Sequence, residues 1–181
     1  MTEGTTSEYG WLNPWRVLGW GTIAGLIALP AIAMQYTGEV NWTASDFVFA
    51  IVMLGGVGLA FELAVRASGS WAFRGACAIA LGAGLTELWI NAAVGIVGDE
   101  GNLFNLWFDL VPLLALFAAI GARFRAEGMA VAMMATAAAQ FGVGLIAMNY
   151  GHFTWVFTAL WSGAWLASAL LFRKASRASG T

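Results

Sequence analysis

Residues 74–98 read RGACAIALGAGLTELWINAAVGIVG and form an apolar stretch with one glutamate, Glu87, near its middle. The stretch is long enough to cross a bilayer as a helix. A charged side chain near the bilayer centre costs about 2.5–3.5 kcal/mol on insertion scales, so the rest of the fold must offset that cost. We therefore expect the chain to be organised around Glu87.

The residues that share a helix face with Glu87 are small or polar. At about 100° per residue, this face carries Ala76, Ala80, Ala83, Gly84, Glu87 and Asn91, whereas Leu81, Leu85, Trp89 and Ile96 fall on or near the opposite side. Small residues let helices approach closely in a membrane. We predict that the small face packs against neighbouring helices and directs the acid inward, while the bulky face meets lipid.

The composition of the whole chain is that of a membrane protein. Of its 181 residues, 60% are hydrophobic and 10% are charged, against roughly 25% charged residues in an ordinary soluble domain. The net charge of −2 gives no indication of a nucleic-acid partner. The single cysteine, Cys77, excludes an internal disulfide, and we interpret it as a small buried residue at a helix interface.

Six apolar runs of helix length divide the chain. They cover residues 17–34, 46 to about 66, 74–98, 103–122, 129–149 and 153–172. We predict an all-α fold, an integral membrane bundle of six transmembrane helices over residues 15–173, between a disordered cytoplasmic N-terminus (1–14) and a basic cytoplasmic tail (174–181). Alternatively, the first run is a cleaved signal peptide, because Pro30-Ala31-Ile32-Ala33 imitates an A-x-A cleavage site, and five spans would then remain.

The basic residues alternate between the ends of these runs. All eight fall at the N-terminus, in the second or fourth connection, or at the C-terminus: Arg16, Arg66, Arg74, Arg123, Arg125, Arg173, Lys174 and Arg177. The opposite loops carry Glu39, Asp99, Glu100 and His152 but no lysine or arginine. The positive-inside rule therefore predicts that both termini are cytoplasmic.

Two local patterns concern the second run. Ser45 and Asp46 are residue types that favour a helix N-terminus. Glu62 lies four residues before Arg66, which is the favourable order for an ion pair within one helix. We therefore interpret Glu62 as a structural rather than a functional acid.

Five polar residues are predicted at similar depth in the outer half of the bundle. Counted at about 1.5 Å per residue, Asn91 and Asp109 lie roughly 9–10 Å from the outer ends of their runs, and Glu87, Gln140 and Ser162 roughly 13–16 Å. If neighbouring runs pack together, these residues form one intramembrane polar site. Whether Glu87 and Asp109 meet is left open by the sequence.

The chemistry of this site admits two interpretations. It has two carboxyls and no lysine or arginine at comparable depth, so at least one acid must be protonated or a bound cation must neutralise them. Oxygen ligands of this kind suit a proton or a hard cation. Alternatively, a protonated Glu87 bonds to Gln140 and simply locks helices together.

No signature of catalysis is present. The chain contains no HExxH, GxSxG, Walker loop or CxxC, and we predict no catalytic residue, metal or cofactor. The leading hypothesis is a non-enzymatic membrane protein with a structural or accessory role, which binds a second copy or another membrane protein. Gly21 and Gly25 form a GxxxG pattern that is typical of close helix contact. The second hypothesis is a small proton- or cation-linked transporter or channel that uses Glu87 and Asp109.

Three segments resemble those of a family of small multi-pass bacterial inner-membrane proteins of the alphaproteobacterial type. The segments are GEVNWT at 38–43 with Asp46-Phe47, WINAAVGIVG at 89–98, and ARFR at 122–125. The resemblance implies a bacterial inner-membrane location, and no activity is attached to these motifs. In the family pattern, an apolar residue more often occupies the position of Glu87, and Asp109 is not a fixed feature.

Overall fold

The computed structural model describes residues 13–178, apart from the side chain of Trp15, and this part of the chain is entirely helical in its regular structure. The helices are α1 (Pro14–Ala33), α2 (Ala44–Ala67), α3 (Trp71–Val94), α4 (Asn105–Gly121), α5 (Ala126–Asn149) and α6 (Trp155–Ala178). Residues 1–12 of the predicted disordered terminus and residues 179–181 of the predicted tail lie outside the described residues. Lys174 and Arg177 lie on the last turns of α6.

The described helices include five that are long and apolar enough to cross a membrane. The exception is α4, which has 17 residues and is apolar but shorter. The prediction of an all-helical chain with several membrane-span-like helices is therefore confirmed.

The chain divides into two compact units, and the first ends at Leu59. This unit contains α1 and the first part of α2, and its described residues include only Pro30 and Ala50 as buried ones. Gly58 of α2 lies against the side chains of Ile23 and Trp20, so that an added Cβ would come within 2.6 Å of Ile23. In contrast, no neighbouring atom among the described residues of this unit lies within 4 Å of a Cβ built on Gly21 or Gly25.

The N-terminus of α2 is closed by the Asp46 carboxylate, which makes one half of a capping box. The Thr43 backbone N–H and hydroxyl both donate to one carboxylate oxygen of Asp46, at 2.7 and 2.8 Å. An acid three residues after the N-cap that reaches back to the cap's own N–H satisfies a donor that the helix leaves free. Thr43, rather than Ser45 or Asp46, is therefore the N-cap of α2, which begins at Ala44.

The second unit, from Ala60 onwards, contains the end of α2 and helices α3–α6. Helix α6 has its most extensive contacts with α5 and also packs on α3, while α4 packs on both α5 and α3. Small residues dominate the core of this unit, which also contains four large aromatic side chains, Phe73, Phe108, Trp165 and Phe172. The buried alanines bring the helix backbones close together, as is usual in membrane bundles. Cys77 is buried in this core as a free thiol, as predicted.

The small face of α3 is buried, as predicted. Ala76, Ala83, Glu87 and Asn91 are all less than one tenth exposed, and Ala80 packs against the core from its edge. Across this face, two side chains of α6 donate hydrogen bonds to backbone carbonyls of α3. Trp161 Nε1 bonds to Ala83 O at 3.0 Å, and Ser168 Oγ bonds to Ala76 O at 2.9 Å. These bonds fix the register of α6 against α3.

The connection from α2 to α3 is held by arginine side chains. Arg66 and Glu62 form the predicted ion pair within α2, at 2.5 Å. Arg74 donates to the backbone carbonyls of Ser68 and Val65, at 2.8 and 3.0 Å. Arg74 thereby satisfies carbonyls that the C-terminal turn of α2 leaves without an intrahelical partner.

Helix α3 ends earlier than the apolar run predicted. It stops at Val94, and Gly95 has a φ of 73°. A Cβ on Gly95 would lie 2.5 Å from the Asp99 carbonyl oxygen and 2.8 Å from the Asn105 side chain. The turn therefore requires glycine both for its backbone conformation and for space. As a consequence, Ile96 lies beyond the helix instead of on its bulky face.

Candidate buried polar site

An amide-rich clasp joins the end of α3 to the start of α4. Asn91 Nδ2 donates to Asp109 Oδ1 at 2.6 Å and to the Asn105 backbone carbonyl at 3.0 Å. The Asn105 side chain oxygen accepts from the backbone N–H groups of Ile96 and Val97, at 3.1 and 2.8 Å. Asn91 and Asn105 are each only 4% exposed. Two of the predicted site residues, Asn91 and Asp109, therefore do meet.

The clasp satisfies the backbone groups of the turn that follows α3. Asn105 Nδ2 donates to the carbonyls of Asp99 and Val97, at 2.7 and 3.3 Å. Asn91 Oδ1 also accepts from the Ile96 N–H at 3.2 Å. Because these buried amide groups are almost fully hydrogen-bonded, the clasp has the properties of a structural element.

Glu87 lies one helical turn before Asn91 on α3, and its environment is different. Its side chain is fully buried, and neither carboxyl oxygen has a hydrogen-bond partner. The carboxyl faces the Gln140 amide of α5 and the Trp165 indole of α6 without reaching hydrogen-bonding geometry with either. Asp109 acts on it electrostatically as a second acid. An unpaired buried polar group costs free energy, and an ionised one costs far more.

Further polar atoms on α5 and α6 are also buried and unpartnered. Gln140 is 0% exposed, and neither its amide nitrogen nor its oxygen has a partner. Three further buried atoms lack a hydrogen-bond partner: the hydroxyl oxygens of Thr158 and Ser162 and the indole nitrogen of Trp165. Natural proteins leave few buried polar groups unpaired, and a concentration of them within one unit calls for a physical explanation such as water or an ion.

The charges around Glu87 do not include a cation from the protein. All eight lysines and arginines lie at or near helix ends or in the short connections. Glu62 forms an ion pair with Arg66 at the end of α2. Among residues 13–178, no group of three or more His, Cys, Asp and Glu side chains is arranged to hold a metal ion. The Glu87 carboxyl therefore lies in the helix core without a fixed counter-charge.

Four of the five predicted site residues are brought together in two pairs. Asn91 and Asp109 form the clasp, and Glu87 faces Gln140. Ser162 is half-buried on α6 with an unpartnered hydroxyl. Asp109 acts electrostatically on Glu87, while its own carboxylate accepts a hydrogen bond from Asn91.

Sequence reasoning missed three residues of this region. Asn105 is the hub of the clasp, and its position four residues before Asp109 on the same helix face was the available signal. Thr158 lies four residues before Ser162 on α6, and Trp165 lies three residues after it. The helical period therefore places both side chains on the same face as Ser162. Nothing in the sequence indicated that the Trp165 indole N–H faces Glu87.

The chain was compared with protein families, curated proteins and solved structures, and none of the three comparisons gives a match.

Proposed function

We propose that this chain is an inner-membrane protein of bacteria that crosses the bilayer six times, with both termini in the cytoplasm. Helix α4 supports this count, because 17 residues rise about 26 Å and 17 residues is the lower limit for a span. The positions of all eight basic residues support the orientation. The resemblance of three segments to alphaproteobacterial membrane proteins supports the location.

Within that membrane, we propose that the protein is a small proton- or cation-linked transporter or channel. One observation carries the proposal: the Glu87 carboxyl is fully buried, faces the neutral Gln140 amide and Trp165 indole, and has no protein cation beside it. Ionisable residues in this position within a bundle are characteristic of proton and ion pathways. Gln140, which faces Glu87, carries an amide oxygen of the type that a hard cation uses.

The chemistry of such a site is an exchange of neutralising partners. A proton on Glu87 makes the carboxyl neutral, and a cation held by the Glu87 and Gln140 oxygens has the same effect on the charge. Either partner removes the cost of an isolated buried carboxylate. Asp109 is partly exposed and accepts a hydrogen bond from Asn91. This acid therefore connects the buried site to the turn that follows α3.

The test is ion flux in liposomes that contain the purified protein. A pH-sensitive dye inside, an imposed potential and a series of monovalent cations report coupled movement. Glu87→Gln keeps the size and hydrogen-bonding capacity of the side chain but cannot carry a proton or a charge. Glu62→Gln is the matched control, because Glu62 is also a helical glutamate but is paired with Arg66 at a helix end.

We expect flux in the wild type and in Glu62→Gln, and its loss in Glu87→Gln at an unchanged melting temperature. Flux that survives in folded Glu87→Gln contradicts the proposal. Absence of flux from the folded, inserted wild type also contradicts it.

A second candidate is a structural or accessory role, alone or with a second copy of the chain. The nearly saturated clasp around Asn105 favours it, since such bonds lock helices without any exchange. Gly21 and Gly25, without close neighbours among the described residues, leave room for a helix of another molecule. This candidate predicts that Glu87→Gln is tolerated and that a partner or a dimer is retained through purification in mild detergent.

A further inference from the structure

The C-terminal turns of α6 carry a basic stripe on their exposed face. Arg173, Lys174 and Arg177 line an open concave patch with Leu170, and its volume is ≈ 410 Å³. The spacing of three and four residues places these four side chains one above another on a helix. Because Phe172 and Ala175 of the same turns are buried, the stripe has a fixed orientation away from the core.

The three basic side chains of the stripe have no acidic partner among the described residues. Elsewhere in the second unit, Arg66 is paired with Glu62, and Arg74 is bonded to two backbone carbonyls. The charge of the stripe is therefore concentrated and uncompensated by the described part of the chain. A patch of this kind attracts an anion, and two arginines four residues apart suit the oxygens of one phosphate group.

The surface next to the stripe is apolar. Leu170 and Leu166 lie on the same face of α6, one and two turns toward the membrane interior, and are 53% and 42% exposed. A ligand that fills the whole surface needs a negative head beside the arginines and a hydrocarbon chain along the leucines. An anionic phospholipid has both parts in this order, whereas free phosphate has only the first.

We propose that this stripe is a binding site for the phosphate headgroup of an anionic phospholipid, with an acyl chain along Leu170 and Leu166. The lipid occupies the leaflet at which α6 ends. Arg173 and Arg177 donate to the phosphate oxygens, and Lys174 adds charge at the edge. This site is separate from the buried acid and does not depend on ion movement there.

The experiment measures lipid binding to the full-length protein by native mass spectrometry, from a detergent that releases bulk lipid. Phosphatidylglycerol and phosphatidylcholine of identical chains are titrated separately. Arg173→Gln with Arg177→Gln is compared with a matched control, Arg123→Gln with Arg125→Gln, which removes the same charge from the turn between α4 and α5. Melting temperatures of both variants establish that they are folded.

We expect selective binding of phosphatidylglycerol by the wild type and the control. The stripe variant should bind it more weakly by about tenfold or more, since each basic residue near a lipid surface contributes roughly fivefold. Millimolar inorganic phosphate should not displace the lipid. If the double variant does not fold, Lys174→Gln, with an expected loss of about fivefold, takes its place.

Three results overturn the proposal. Equal binding of the two lipids would show that headgroup charge is not recognised. An equal loss in both double variants would assign the effect to net charge. Displacement by inorganic phosphate would identify a site for the free anion instead of a lipid.

Discussion

Gly144→Ala tests how closely α5 and α6 approach each other. A Cβ on Gly144 would overlap Thr158 Oγ1 and Cγ2 and would lie 2.7 Å from Thr158 Cβ. Rotation of the threonine side chain moves the first two atoms but not the third, because Cβ is fixed to the backbone of α6. The added methyl group therefore requires the two helices to separate.

The magnitude follows from two opposing effects. Overpacking of a closely fitted interface costs typically 1–3 kcal/mol, and a fixed Cβ places this substitution at about 3 kcal/mol. Replacing glycine by alanine within a helix returns up to about 1 kcal/mol of backbone entropy. We expect a net loss of about 2 kcal/mol, which corresponds to a decrease of roughly 4–8 °C in melting temperature for a chain of this size.

The assay is thermal unfolding of the purified protein in one detergent, with Gly84→Ala as the control. A Cβ on Gly84 would meet Pro112 and Trp165 at 3.5 and 3.6 Å, which is ordinary contact, so this variant should melt at or above the wild-type temperature. Thr158→Ala combined with Gly144→Ala should restore only part of the loss, because it removes Oγ1 and Cγ2 but keeps the Cβ that the added methyl group meets.

Two results would refute the reasoning about this interface. The first is a Gly144→Ala protein whose melting temperature equals that of Gly84→Ala. The second is a double variant, Gly144→Ala with Thr158→Ala, whose loss of stability equals the sum of the losses of the two single variants. Residues in contact should instead be coupled.

Two further substitutions test the clasp and the surface of α2. Asn105→Ala should lower the free energy of unfolding by about 2–4 kcal/mol, because it leaves buried backbone N–H and carbonyl groups without partners. The control Asn102→Ala removes one bond to the Phe104 N–H and should cost less than about 1 kcal/mol. Equal losses of the two variants in chemical denaturation would contradict this ranking. Arg66→Gln should cost less than about 1 kcal/mol, because the Arg66 side chain is 54% exposed in its pair with Glu62; a larger loss, or one that persists in high salt, would show that the pair is shielded from solvent.

The burial of α3 was predictable because periodicity alone determines which side chains share a helix face. Ala76, Ala83 and Asn91 recur with Glu87 at that period, and the structure buries all four. The ion pair of Glu62 with Arg66 was predictable for the same reason, since both residues belong to one helix.

Contacts between helices were less accessible to sequence reasoning. Residue depth placed Asn91 near Asp109 and Glu87 near Gln140, but depth does not specify rotation about the helix axis. The premature end of α3 shows a similar limit, because Gly95 resembles any glycine in an apolar run until Asn105 occupies the space beside it. Ser168 to Ala76 spans 92 positions of the chain, and no local pattern encodes such a pairing.

The two hydrogen bonds from α6 to α3 have a consequence for how this protein can evolve. Trp161 and Ser168 donate to the carbonyl groups of Ala83 and Ala76, which belong to the peptide backbone. No substitution at either alanine removes the acceptor, so selection there acts on side-chain volume and not on chemical identity. Covariation between homologues should therefore carry little trace of either contact.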